Sequence, residues 1–87
     1  MITVRKPNEN EIREFETWPV WEKEESEFDW EYSDKETCYI LQGKAQVFDE
    51  NGAIMVEFGK GDLVVFPPGL RCKWKILENM RKHYNLG

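Results

Sequence analysis

Gly61-Asp62-Leu63-Val64-Val65-Phe66-Pro67-Pro68-Gly69-Leu70-Arg71-Cys72-Lys73-Trp74-Lys75-Ile76 holds an apolar strand, a rigid turn and an alternating strand in unbroken succession. Leu63 to Phe66 is a β-branched and aromatic run bounded by Gly61 and Pro67, the pattern of a strand buried on both sides. Neither Pro67 nor Pro68 can donate to a ladder, so the chain leaves the sheet there and Gly69 allows it to reverse. In the strand that follows, Cys72, Trp74 and Ile76 share one face and Arg71, Lys73 and Lys75 the other. A period of two of this kind puts the first set inward and the basic set in water.

On either side of this stretch the chain keeps the same rhythm of short strands and turns. Ile2 to Lys6 starts a strand that Pro7 ends, and Asn8 with Glu11 has capping-box spacing before a short helical turn over about residues 9–15. Trp18-Pro19-Val20-Trp21 resumes extended chain. Phe28, Trp30 and Tyr32 then alternate with Asp29 and Glu31, giving a strand with an aromatic face and an acidic face. Glu36 to Gln42 forms the next strand, apolar on both faces and ended by Gly43. Lys44 to Asp49 pairs with Ala53 to Phe58 across Glu50-Asn51-Gly52, where Asn-Gly is a strong hairpin signal. After Leu77-Glu78-Asn79 a final strand runs from Met80, with Lys82, Tyr84 and Leu86 on the face of Met80 and Arg81, His83 and Asn85 opposite. Many short strands with almost no helix predict a small all-β sandwich or barrel in one domain, residues 1–87.

Eighty-seven residues bury only roughly 60–65% of the unfolded surface, so the core is thin. Four Trp, three Tyr and five Phe compensate, each buried ring contributing about 1.5–3 kcal/mol. A net charge of −5 lacks the basic footprint of a nucleic-acid or anionic-membrane binder, so neither is expected as a partner. The sequence contains no apolar run of spanning length and no leader pattern, which gives a soluble cytoplasmic protein as the expectation. Cys38 and Cys72 indicate no disulfide framework.

Two glycine-punctuated pieces carry a resemblance: Glu36, six residues, Gly43; and Gly61, five residues, Pro67-Pro68-Gly69, then Cys72. With the hairpin between them they resemble the two motifs of the cupin superfamily, and the whole chain resembles the short single-domain cupins of the (S)-ureidoglycine aminohydrolase-like group. Further matches are the Trp-Pro near the start, Glu-Thr-Cys-Tyr from Glu36, Phe-Pro at Phe66, Trp74 and Lys-x-Tyr at Lys82. The resemblance implies a double-stranded β-helix, a jelly-roll barrel holding a metal on histidines and a glutamate, and an aminohydrolase-like activity on a ureido or amino compound. It also points to a homodimer, as do the edge strands of so small a sheet, which a second copy could cover.

Residue by residue, Glu36 falls on the motif glutamate, but Trp30, Tyr32 and Cys72 stand at the three histidine positions. Trp cannot ligate a metal and Tyr is a poor ligand for the usual divalent ions, while a stable site needs at least three protein donors. No metal cofactor is therefore expected. The swap leaves one carboxylate among rings, and Trp30, Tyr32, Glu36, Cys38, Cys72 and Trp74 form the candidate ligand site, binding a small polar or amine-bearing metabolite. Among poorly solvating groups Glu36 is expected as the neutral acid, and Glu36 with Cys72 are the candidate catalytic pair should the protein be an enzyme. Two alternatives stay open: an aminohydrolase-like enzyme with or without metal, and an oligomerising barrel whose rings simply fill it. His83, the only histidine, lies in the polar phase of its strand and is expected in solvent or at an interface.

Overall fold

The structure is a computed structural model describing residues 1–87. In chain order the elements are β1 (Thr3–Arg5), α1 (Glu9–Phe15), β2 (Val20–Lys23), β3 (Ser26–Glu31), β4 (Glu36–Phe48), β5 (Ile54–Gly59), β6 (Leu63–Phe66) and β7 (Arg71–Leu86). All strand pairs are antiparallel. The two long strands, β4 and β7, pair with each other and each serves both layers of the barrel. The first half of β4 and the second half of β7 sit in the layer β1-β6-β4-β7-β2, whereas their other halves sit between β5 and β3. The result is a small jelly-roll barrel, the fold class expected from the sequence.

The decisive stretch folds as it reads. β6 lies between β1 and β4, with Leu63, Val64 and Phe66 buried. In β7, Cys72, Trp74 and Ile76 are buried while Arg71, Lys73 and Lys75 are exposed. These inward groups join Ile40, Val47, Phe58 and Met80 in one core cluster.

Two local expectations are corrected. Gly43 does not end a strand: β4 continues through it to Phe48, and the β4–β7 register shifts around it, between Ile40 and Gln42 and again up to Ala45. At φ 102°, a Cβ on Gly43 would lie 2.4 Å from the Asn79 carbonyl oxygen and 2.9 Å from Met80 Cα. Glycine is thus the residue that lets β4 and β7 cross from one layer to the other in contact. For the same reason Leu77-Glu78-Asn79 is a bend inside a 16-residue β7 rather than a break. The hairpin after β4 forms as read, across Glu50-Asn51-Gly52, with Asp49 N–H donating to the Ala53 carbonyl at 2.9 Å and Gly52 at φ 85°. The Asp49 carboxylate accepts from the Asn51 and Ala53 amides at 2.8 and 3.0 Å and fixes the loop.

Helix α1 forms with the capping box the sequence shows, Glu11 N–H donating to Asn8 Oδ1 at 2.9 Å and Asn8 N–H to Glu11 Oε1 at 3.0 Å. Its Phe15 packs on Trp18 and Tyr39, on the outer face of the barrel. His83 is on that outer face too, half-buried under the segment before β2, with Nδ1 3.0 Å from the Trp18 carbonyl oxygen. No helix is long and apolar enough to cross a membrane.

Candidate functional site

A cavity of about 290 Å³ opens at one end of the barrel. β2 and β3 supply Trp21, Phe28 and Trp30 from their inward faces, and Tyr32 follows directly after β3. β7 supplies Trp74 from its first half and Lys82 and Tyr84 from its second, and Glu36 comes from the first residue of β4. Alternation explains this convergence, because each strand residue among them is in the inward phase of its strand and Tyr32 continues the phase of Phe28 and Trp30.

At the base of the cavity stands a buried ion pair, Lys82 Nζ to Glu36 Oε2 at 2.6 Å, with the two residues 5% and 6% exposed. The ammonium also lies 4.7 Å from the ring of Trp21 and 4.9 Å from that of Trp74. One carboxylate and two indole faces therefore surround it, a combination that binds a desolvated cation well. No buried polar side-chain atom is left without a partner. Glu36 was expected alone among rings and as a neutral acid; in the structure an ammonium faces it, so its carboxylate has a charged partner. Lys82 is the cavity-lining residue that strand alternation in the sequence did not single out. Its signal was a lone cation in the inward phase of β7, matched by a lone anion in the inward phase of β4.

Four of the six expected ligand-site residues, Trp30, Tyr32, Glu36 and Trp74, do line the cavity. Trp30 stands 49% exposed at the mouth. Tyr32 is buried, stacked on Phe66 at 4.7 Å, and its hydroxyl accepts from Trp74 Nε1–H at 3.1 Å. Cys38 and Cys72 are not brought there. Cys38 is fully buried in the β4–β6 pairing and its thiol donates to the Val64 carbonyl at 3.6 Å. Cys72 pairs in register with Trp30, is 5% exposed, and lines a separate groove with Glu31, Arg71 and Lys73 rather than this cavity. Burial pushes the Cys72 thiol up to about 11 and that of Cys38 to about 12, away from the thiolate a nucleophile needs. Of the candidate catalytic pair, Glu36 lines the cavity and Cys72 does not. The rings both fill and line the barrel: Phe58 and Phe66 belong to the core, while Trp21, Phe28, Trp30 and Tyr84 wall the opening.

Around the rim, Glu31 is paired with Arg71 at 3.2 Å, whereas Asp34 has no ion-pair partner. The cavity therefore combines six aromatic rings with one surplus carboxylate.

Comparison with known proteins agrees with this architecture. The EutQ-like cupin domain matches residues 11–84. The chain belongs to the EutQ-like cupin family. This EutQ-like cupin is 54% identical, over the whole of both chains and with a TM-score of 0.93, to the crystal structure of a DUF861 family protein from Thermotoga maritima. A DUF861 protein of unknown function from Pseudomonas syringae is 26% identical over 78% of this chain and 29% of its own, with a TM-score of 0.67. The Clostridium difficile EutQ protein is 24% identical with a TM-score of 0.68, and there the cupin spans about half of the relative's length, 77% of this chain against 52% of that one. None of the curated proteins matches significantly.

The metal of the wider superfamily does not fit this donor set. Trp30 offers no lone pair, Glu36 is engaged by Lys82, and the Tyr32 phenol is held protonated by burial, the nearby Glu36 charge adding to the effect. No three His, Cys, Asp or Glu side chains converge anywhere in the molecule. No chemical step through a metal is derived for this cupin.

Proposed function

We propose that this cupin binds a small amine-bearing metabolite in the aromatic cavity. The observation that carries the reading is the meeting of six ring faces with a carboxylate that lacks a counter-ion, Asp34, in an opening of about 290 Å³. That volume suits a metabolite-sized ligand. A ligand cation would lie against Trp30 and Tyr32 and near Asp34, while the rest of the molecule reaches toward the Glu36–Lys82 pair, which offers one acceptor and one donor at the base. The ring faces and the Asp34 carboxylate together offset the cost of desolvating the cation.

A second reading, aminohydrolase-like action on a ureido or amino compound, is favoured by one observation: Glu36 and Lys82 together are an acid–base couple that lines the cavity. It differs from simple binding in predicting release of ammonia.

The test is thermal stabilisation by a panel of alkylamines and quaternary ammonium compounds, each set against its neutral isostere. A ligand at about 100 times its Kd stabilises by about 2.7 kcal/mol, on the order of 10 °C for a chain of this size. Cations should raise the midpoint and neutral isosteres should not, and Asp34→Asn or Trp30→Ala should remove the rise. Equal responses to cation and isostere would sink the proposal.

A further inference from the structure

Of the eight lysines, Lys82 alone is buried. Its amine nevertheless lines an open cavity, with a carboxylate at 2.6 Å. Stability does not account for the arrangement, since well-packed apolar side chains generally serve as well as a buried ion pair. A desolvated lysine amine is, however, the nucleophile that forms Schiff bases with carbonyl compounds, and it works best beside a group that takes and returns protons. We infer, on the footing that the cavity is the ligand site proposed above, that Lys82 captures a small aldehyde or ketone carrying an ammonium group as an imine, with Glu36 moving the protons.

The reaction balances without any further reagent. Glu36 takes one proton from the Lys82 ammonium, and the free amine attacks the carbonyl carbon, forming the C–N bond and placing the carbonyl electron pair on oxygen. One of the two remaining protons on nitrogen passes to that oxygen, giving a carbinolamine. Glu36, now the acid, protonates the hydroxyl, water leaves, and the nitrogen lone pair closes the C=N bond. The two hydrogens of the water come from Nζ, and the product is a protonated imine facing the Glu36 carboxylate, the same charge pattern as before. The ammonium end of the ligand meanwhile lies with Trp30 and Asp34, which line the same cavity.

Three probes separate this inference from the binding proposal. Betaine aldehyde carries both the carbonyl and the cation, 3,3-dimethylbutanal is its neutral isostere, and choline has the cation without the carbonyl. The full chain is incubated with each aldehyde and sodium cyanoborohydride near neutral pH, and the reduced adducts are located by peptide mapping. Betaine aldehyde should label Lys82 at least about tenfold faster than any of the seven other lysines, and about tenfold faster than the neutral isostere does. Glu36→Gln should slow the labelling of Lys82; if that variant does not fold, mapping on the unaltered chain decides. Adducts spread over exposed lysines with Lys82 untouched overturn the inference, and so does a neutral isostere that labels Lys82 as fast as the cation. If choline stabilises the protein while Lys82 stays unlabelled, the carbonyl chemistry fails and the binding proposal stands. If choline has no effect either, both fail.

Discussion

Replacing Lys82 with Met tests whether the cavity floor is as dry as its geometry implies. The substitution keeps an unbranched side chain between Trp21 and Trp74 but removes the only cation facing Glu36, whose residue is 6% exposed. Breaking a buried pair by removing one partner costs about 3–5 kcal/mol, because the surviving charge is left uncompensated. Met retains most of the ring contacts, so the lower end applies, about 3 kcal/mol, or roughly 12–24 °C in thermal midpoint for a domain of this length. Glu36→Gln alone is expected to cost about as much, since it strands the ammonium. The double variant should lie within about 1 kcal/mol of the unaltered chain, because neither charge then remains, giving a coupling energy of several kcal/mol. Urea unfolding followed by tryptophan fluorescence measures all four corners of the cycle, and an unchanged m value licenses the comparison. A Lys82→Met variant within about 0.5 kcal/mol of the parent would mean that water from the cavity mouth solvates Glu36, as at an exposed pair. In that event the desolvated amine required for imine formation would lose its basis.

Gly43→Ala should destabilise by at least about 2 kcal/mol, because its Cβ would fall 2.4 Å from the Asn79 carbonyl oxygen at φ 102°, whereas Gly52→Ala meets nothing within 4 Å and should cost only about 1 kcal/mol for its φ of 85°; equal melting shifts for the two would remove the case for close approach. With its thiol pushed up to about 11, Cys72 should react with a thiol reagent far more slowly in the native protein at about pH 8 than in urea, and Cys38, at about 12, more slowly still. Two equivalents reacting natively at the free-thiol rate would contradict their burial. Hydrogen bonds from the Arg5 side chain, 2.8 Å away, and from the Asn8 backbone hold Glu11 down at about 2. A folded-state value below the unfolded one, about 4.3, gives stability that is present above that pH and lost as pH falls through about 2. The urea midpoint should therefore fall more between about pH 5 and pH 2 in the parent than in Glu11→Gln, and identical slopes would refute the coupling.

The fold was legible because the informative residues act through the backbone. Pro67 and Pro68 forbid a ladder wherever they occur, Leu63 to Phe66 can be satisfied only inside, and the Cys72–Ile76 alternation assigns faces without knowledge of any partner strand. What stayed hidden depends on main-chain crossings remote in sequence. Gly43 reads as a stop until Asn79 and Met80 are known to lie against it, and only then does it become the point where a 13-residue strand changes layer. The hairpin at Asn51-Gly52 was legible, but the Asp49 carboxylate that gathers two of its amides looks like any other polar loop residue. Trp30, Tyr32, Glu36 and Trp74 were readable as neighbours from their places in the cupin motifs and from strand phase. For Cys38 and Cys72 phase was not enough, because Cys38 is sealed in the core and Cys72 lines a different groove.

The Glu36–Lys82 pair explains why so altered a cupin could keep its motif glutamate. With aromatic and thiol groups at the histidine positions, an inward carboxylate at the start of β4 has no metal donor set around it, and burying it unpaired costs several kcal/mol. The compensating cation has to come from another inward position within reach. Lys82 supplies it from β7, and Trp21 and Trp74 then face an ammonium rather than an imidazole-bound ion. The order of dependence matters: rings placed around a metal site would block ligation, whereas rings placed around an ammonium stabilise it. A single inward lysine thus makes the aromatic substitutions and the retained carboxylate mutually consistent. The cavity presents a ligand with an amine and a carboxylate in contact, which is the chemistry that the labelling experiment addresses.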